Sequence, residues 1–260
     1  MVFQPMKTML RTPDQIGLQY RDQYFTSSDG TRLHGWWLPA EGKAQGTVLL
    51  LHGNAENIST HIGSVYWLPA QHYNVFLFDY RGYGLSAGEP SLDGAMMDVK
   101  SALRWLLARK DLDPGRIIVF GQSLGGALGV YALASTGMSH KIRALILDST
   151  FSDYHRIARD KLSSFWLTWP FQYPLSWLIS DRYSPVRQIA RISPTPVLIV
   201  HSQADMIIPV DHARRLFAAA KQPKELWIVP DGAHISAFNQ PEMRKKLLRY
   251  LDGVLSGPPT

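Results

Sequence analysis

The pattern Gly-x-Ser-x-Gly occurs twice in the chain, at Gly84-Leu85-Ser86-Ala87-Gly88 and at Gly121-Gln122-Ser123-Leu124-Gly125. The first copy follows the turn Arg81-Gly82-Tyr83 and runs into Glu89-Pro90, a loop with no helix directly behind it. The second ends the apolar run RIIVFG and opens into LGGALGVYALAST, a small-residue helix. Only this strand–turn–helix setting predicts a nucleophile elbow, where the serine sits in a strained turn and the flanking glycines let strand and helix approach closely. Its hydroxyl then projects near a helix N-terminus, where backbone N–H groups favour developing negative charge. The plainer reading makes Ser123 an ordinary helix N-cap in a glycine-rich turn.

A serine hydroxyl becomes a nucleophile when a base takes its proton and an acid orients the base. Of the nine histidines, His234 is best placed, in the loop Pro230-Asp231-Gly232-Ala233-His234 after the last strand-like run. His52 and His201 also end apolar runs, but His52 precedes Gly53 in a turn and reads as ordering that loop. The other six have no supporting context and read as surface or packing histidines. For the acid, Asp205 lies in His201-Ser202-Gln203-Ala204-Asp205, after the next-to-last run; Asp148, which ends another, is the runner-up. Asp211 and Asp231 fit a helix start and a turn better. The turn Gly53-Asn54-Ala55 could supply an oxyanion hole, with the Asn54 N–H paired to that of Leu124; alternatively the Asn54 side chain merely holds the loop.

These residues need a scaffold. Val-, Ile- and Leu-rich runs appear at Thr47–His52, Val75–Asp79, Arg116–Gly121, Ala144–Asp148, Val197–Ser202 and Leu226–Val229, without alternation, as in parallel strands buried on both faces. Helix-like segments, including Leu92–Lys110, Leu124–Thr136, Asp211–Lys221 and Glu242–Leu255, lie between and after them. Two earlier, more alternating segments around Tyr20–Thr26 and Arg32–Leu38 flank Ser28-Asp29-Gly30, a hairpin signal. An antiparallel start followed by parallel βα units predicts a doubly wound α/β sheet of roughly eight strands, with chemistry at the carboxyl ends of the strands. The chain reads as one domain, 1–260, with residues 151–190 as an insertion over that edge, where a lid belongs. Trp166, Trp169 and Phe171 in its aromatic centre are candidate substrate contacts; the alternative is that these rings pack the lid onto the core.

With 260 residues and 45% apolar content the chain can fill a sizeable core, and 18% charged residues are too few for a disordered one. It has no cysteine, so disulfides, thiolate nucleophiles and zinc–thiolate sites are excluded. The net charge of +6 is scattered, and the densest run, Arg244-Lys245-Lys246, reads as a solvated helix face. No nucleic-acid module accompanies it, which leaves weak association with an anionic membrane surface. No secretory signal is visible near Met1, and LSSFWLTWPFQYPLSWLIS (162–180) is broken by Pro170 and Pro174. The expected location is cytoplasmic, or membrane-associated if a native N-terminal anchor was trimmed.

The stretches LHGNAEN, FDYRGYGLSAGEPS, GQSLGG, PVLIVHSQADMIIPV and PDGAHI, in that order over roughly residues 20–255, resemble the α/β-hydrolase superfamily, in particular its serine aminopeptidase/monoglyceride-lipase-like branch. The order Ser123, Asp205, His234 is the order of that fold. The resemblance implies that Asp79, Arg81, Gly82 and Gly84 form a structural loop, leaving Ser86 a bystander. One departure is His201-Ser202 where relatives often have His-Gly.

Serine in the elbow, rather than aspartate, predicts acyl transfer through an acyl-enzyme on Ser123, with no metal or organic cofactor. The insertion Phe151–Ala190 has no glutamate, and its three aspartates face five Arg and Lys residues, a balance that disfavours recognition of a substrate amino terminus. The first reading is a carboxylesterase for a small-molecule ester of short-to-medium acyl chain. A lipid or protein-thioester acyl hydrolase comes next. An aminopeptidase and an inactive binding scaffold rank below it. Oligomeric state is not legible.

Overall fold

The computed structural model describes residues 3–163, 173 and 180–257. Eight strands form one sheet: β1 (Arg21–Thr26), β2 (Arg32–Leu38), β3 (Gly46–Leu51), β4 (Tyr73–Phe78), β5 (Ile117–Gln122), β6 (Ala144–Asp148), β7 (Val197–Ser202) and β8 (Lys224–Val229). Their spatial order is β8-β7-β6-β5-β3-β4-β2-β1. The β1–β2 hairpin pairs Phe25 with Leu33, and β2 also runs antiparallel to β4; every other pairing is parallel.

The apolar runs are continuous because both faces of the central strands are covered. Leu49, Leu51, Phe76, Phe78, Val119, Leu145 and Ile199 point into one core, while their neighbours Val48, Leu50, Val75, Leu77, Ile118, Ile146 and Leu198 point into the other. Helices α1 (Leu92–Leu107), α2 (Leu124–Thr136) and α4 (Asp211–Ala219) cover the first face. The second is covered by α5 (Pro241–Ser256) and by apolar residues of the segment 58–68. Each buried Leu, Ile or Phe contributes about 1.5–3 kcal/mol, so this double layer dominates the stability. α3 (Tyr154–Ser163) opens the long interval between β6 and β7 and buries Tyr154 in the first core. Among the described residues no helix is long and apolar enough to cross a membrane.

One pairing has no sequence signal. Gln4–Pro5 runs parallel to Ala55–Glu56 as a separate two-residue ribbon, which brings the N-terminal segment against the turn after β3. In the basic run on α5, Lys245 and Lys246 are exposed, as expected of a solvated face, but Arg244 is not. Arg244 is half-buried, donates Nε–H to the Phe238 carbonyl and lies over the rings of Tyr66 and Trp67, while Lys246 sits 4.1 Å from the Trp227 ring centroid. Apolar stems and cation–π attraction draw these cations onto the protein.

Candidate active site

Ser123 follows β5 directly and has φ 52° and ψ −114°, a backbone conformation costing about 1–3 kcal/mol for a residue with a Cβ. The fold holds it there in two ways. Its N–H donates to the Asp148 carbonyl at 2.9 Å, tying the turn to β6. Around it, backbones touch: a Cβ on Gly121 would lie 2.5 Å from Gly126 Cα, and one on Gly125 would lie 2.0 Å from the Leu51 carbonyl oxygen. The glycines therefore bring the N-terminus of α2 against the end of β3, and Ser123, only partly buried, stands at that junction.

Asp205 and His234 meet on the adjoining loops. Asp205 Oδ2 lies 2.8 Å from His234 Nδ1, and Oδ1 accepts the N–H groups of Ile207 at 2.8 Å and Ile208 at 2.9 Å. Burial alone would raise this carboxyl's pKa, but the His234 interaction and the two backbone donors outweigh it and hold it below the ordinary carboxylate range. With the carboxylate ionised, His234 Nδ1 carries a proton and donates it, leaving Nε2 as the acceptor. His201, buried and held neutral, donates Nε2–H to the Ile208 carbonyl at 2.8 Å and stands 3.5 Å from Asp205.

A chain of contacts joins the histidine loop to the elbow. Ser149, next to the Asp148 that anchors Ser123, accepts the Ile235 N–H at 3.1 Å. Ser149 and Ile235 both have φ 52°, a costly conformation, above all for β-branched Ile235. No direct Ser123–His234 hydrogen bond forms among the described residues; these two neighbours connect them. Ser202, the departure from His-Gly, donates Oγ–H to the Gly232 carbonyl at 2.6 Å and so fastens β7 to the histidine loop. Asp148 is fully buried, accepts from Gln122 Nε2 at 3.1 Å and from Ser149 Oγ at 3.4 Å, and burial pushes its carboxyl up to about 6.

In the turn after β3 the carbonyls are occupied. Tyr80 OH donates to the His52 carbonyl at 2.9 Å, His52 Nδ1–H to Gly53 at 2.8 Å, and Tyr83 OH to Asn54 at 2.7 Å. The trans Gly53–Asn54 peptide must then direct the Asn54 N–H away from the His52 ring. His52 thus orders the loop, its ring kept neutral by burial and by nearby His61. Gln4 N–H also reaches the Asn54 carbonyl, and Asn57 Nδ2 donates to Met6 and Thr8, so the N-terminal segment braces this turn. A Cβ on Gly53 would lie 3.8 Å from Ser123 Cβ, which places turn and elbow side by side.

Residues 46–170 match the sequence profile of the alpha/beta hydrolase fold. The chain is 42% identical over 219 residues to YfhR of Escherichia coli strain K12, covering 83% of this chain and 73% of that one. It is 34% identical over 239 residues to the alpha/beta hydrolase domain-containing protein WAV2 of Arabidopsis thaliana, covering 87% and 76%. The chain belongs to the alpha/beta hydrolase family. The esterase Pf2001 of Pyrococcus furiosus superposes with a TM-score of 0.79 over 98% of both chains at 23% identity, a likeness of fold.

The rest of this alpha/beta hydrolase sorts by what each residue touches. Ser86 is buried, donates to the Asp79 carbonyl at 2.6 Å and accepts the His34 N–H at 2.9 Å, a role within its own loop. In that loop Arg81 binds Asp98 and Asp29, and Gly84 packs where a Cβ would meet Asp79 Oδ2 at 2.0 Å. Asp211 lies in the first turn of α4 and pairs with Arg156. Trp166, Trp169 and Phe171 lie outside the described residues. One cluster escaped the sequence reading altogether: Ser152 Oγ is 2.8 Å from His212 Nδ1, and His212 Nε2 is 2.9 Å from Asp160 Oδ2. His212 lies 60 and 52 positions from its two partners, and the three share no motif. Among the described residues no cluster of His, Asp or Glu is arranged to hold a metal ion.

Proposed function

We propose that this protein is a serine hydrolase of carboxylic esters that works through an acyl-enzyme on Ser123. The observation carrying this reading is the Asp205–His234 hydrogen bond of 2.8 Å, which leaves Nε2 as a base on a loop tethered to the elbow. Ser123 Oγ attacks the ester carbonyl carbon as its proton passes to His234 Nε2. The tetrahedral oxyanion is met by the N–H groups of Asn54 and Leu124, each such donor contributing about 3–4 kcal/mol. Collapse breaks the bond to the alkoxy oxygen, which takes the proton from Nε2 and leaves as alcohol. Water then gives its proton to His234 and attacks the acyl-enzyme; its collapse releases the acid and returns the proton to Ser123.

Ester is favoured over an amino-terminal peptide by the carboxylates of the insertion. Asp181 pairs with Arg187 at 2.8 Å, Asp160 with His212 at 2.9 Å, and Asp153 accepts from Ser152 Oγ and the Arg156 N–H. Each of these carboxylates is engaged within the fold, which weighs against a dedicated ammonium site. In this reading residues 151–190 act as the lid. The test is hydrolysis of p-nitrophenyl esters from C2 to C16 by the wild type and by Ser123→Ala. Activity maximal at short-to-medium chains and abolished in Ser123→Ala is expected. A wild type inert on all of them would sink the reading, and activity surviving in Ser123→Ala would mean that another nucleophile acts.

A further inference from the structure

Beside His234 lies a cleft of about 540 Å³ lined by Ala204, Met206, Ile207, Gly232, Ala233 and His234. Its walls are the acid loop and the histidine loop. No residue of the β3 turn or of the elbow contributes to it. Apart from the imidazole, the described lining side chains are all apolar and none carries a fixed charge. Met206 is 91% exposed and Ile207 47%, two large apolar side chains held out towards solvent at the edge of a base. Exposed apolar surface that is concave and adjoins a candidate catalytic group is a binding-site signature.

We infer that this cleft receives the alcohol portion of the ester, and that the alcohol is an uncharged alkyl or aryl group. The inference rests on the ester-hydrolase reading and specifies its substrate. The two halves of an ester part at the carbonyl carbon. The acyl half is held where the oxyanion donors and Ser123 converge, whereas the leaving oxygen must reach the proton on His234. A cleft that contains His234 and lacks the oxyanion turn therefore lies on the leaving-group side. Among the described lining residues there is no carboxylate for an ammonium and no Arg or Lys for a phosphate, so a charged leaving group would find no partner there.

The same contacts that orient His234 also set the cleft's shape. Asp205 holds the imidazole through Oδ2 and the wall residue Ile207 through Oδ1, and Ser202 fastens Gly232 on the opposite wall at 2.6 Å. Base and cleft thus form one rigid unit. Ala204, Gly232 and Ala233 supply room, and Met206, with its flexible thioether chain, can fold onto alcohols of different shape.

Two measurements test this. In the first, kcat/KM is measured for methyl, butyl and hexyl acetate, and for methyl acetate, butanoate and octanoate, with wild type and Met206→Glu. The wild type should gain up to about fourfold per methylene of the alcohol that enters the cleft. Met206→Glu should lose at least about tenfold on hexyl relative to methyl acetate, with the shape of the acyl series retained. In the second, which needs no turnover, 1-hexanol is titrated into protein labelled with ¹³C at the methionine methyl groups. The Met206 signal, assigned by its absence in Met206→Leu, should shift saturably with hexanol and not with hexylammonium or hexyl phosphate. A Met206→Glu defect confined to the acyl series, or a Met206 signal indifferent to hexanol, overturns the assignment. A protein that hydrolyses no ester yet shows the saturable Met206 shift would overturn the ester-hydrolase reading while upholding the cleft's ligand class.

Discussion

Asp148 ends β6 and Asp205 lies on the loop after β7, and isosteric replacement separates the two as candidate partners of His234. In Asp205→Asn the amide has a dictated orientation. The Ile207 and Ile208 N–H groups, at 2.8 and 2.9 Å, need an oxygen at the Oδ1 position, so the NH2 group must stand where Oδ2 faces His234 Nδ1. A donor there forces Nδ1 to accept and moves the ring proton to Nε2, where the base's lone pair is required. Such a swap should lower kcat by about 10³- to 10⁴-fold, or about 4–5.5 kcal/mol of transition-state stabilisation, with the fold intact. Asp148→Asn meets no comparable constraint. Its carboxyl binds Gln122 and Ser149 and is fully buried, so its activity should stay within about tenfold of wild type. The assay is single-turnover and steady-state hydrolysis of p-nitrophenyl butyrate, with thermal melts to confirm folding. If Asp205→Asn kept more than about a tenth of the activity while Asp148→Asn lost it, Asp148 would be the orienting acid and the tautomer argument would be wrong.

Three further outcomes follow from the packing and the titrating groups. Because burial raises the Asp148 carboxyl from 3.8 to about 6, the folded state favours its protonated form. Its stability contribution is full below pH 4 and declines as pH rises towards 6, by about 3 kcal/mol for a two-unit shift; urea unfolding should therefore show Asp148→Asn gaining on the wild type at pH 8 relative to pH 4, and parallel profiles would refute it. Gly125→Ala drives a Cβ to within 2.0 Å of the Leu51 carbonyl oxygen and should cost about 3 kcal/mol or more, whereas Gly253→Ala in α5, where a Cβ meets nothing within 4 Å, should gain about 0.5–1 kcal/mol; denaturant midpoints of opposite sign are expected. Burial, opposed by Asp160 and Asp153 and aided by Arg156, lowers the His212 pKa, so its contribution is full above pH 6.5 and is lost as pH falls below that value; His212→Phe should cost about 2–4 kcal/mol at pH 8 and less at pH 5.5, read from the same melts.

The sheet was legible because each strand's residues alternate between two dry cores, so Val, Ile and Leu run without interruption from Val48 to Leu51 and from Leu145 to Leu147. The elbow was legible because Gly121 and Gly125 record backbone contacts on a local segment. Asp205 and His234 could be picked out because each follows a recognisable strand. What the sequence concealed depends on distant pairing. Nothing around Gln4 announces that it will reach the Asn54 carbonyl, and nothing in Tyr83 distinguishes an anchor for the turn after β3 from an ordinary core tyrosine. The left-handed conformation of Ile235 was equally hidden, since a β-branched residue argues locally against it; Ser149 of another strand end holds it in place.

The second Ser–His–Asp cluster shows why distances alone do not identify a catalytic site. Ser152, His212 and Asp160 make contacts of 2.8 and 2.9 Å, a tighter serine–histidine contact than any Ser123 makes. Yet Ser152 and His212 are fully buried, and the His212 Nδ1 lone pair already receives the Ser152 N–H at 3.0 Å. The Ser152 hydroxyl has a ready acceptor in Asp153 Oδ2 at 2.7 Å, so its proton has no need of the imidazole. Nothing strains the serine, and no helix of small residues begins behind it to receive an oxyanion. The cluster fastens the base of α3 to α4. Ser123 has the opposite properties: a strained backbone, partial exposure and a helix N-terminus at its back. A nucleophile must keep its proton acceptor unspent until substrate arrives, and of the two serines only Ser123 is partly exposed, which is why the proposed mechanism is placed on it.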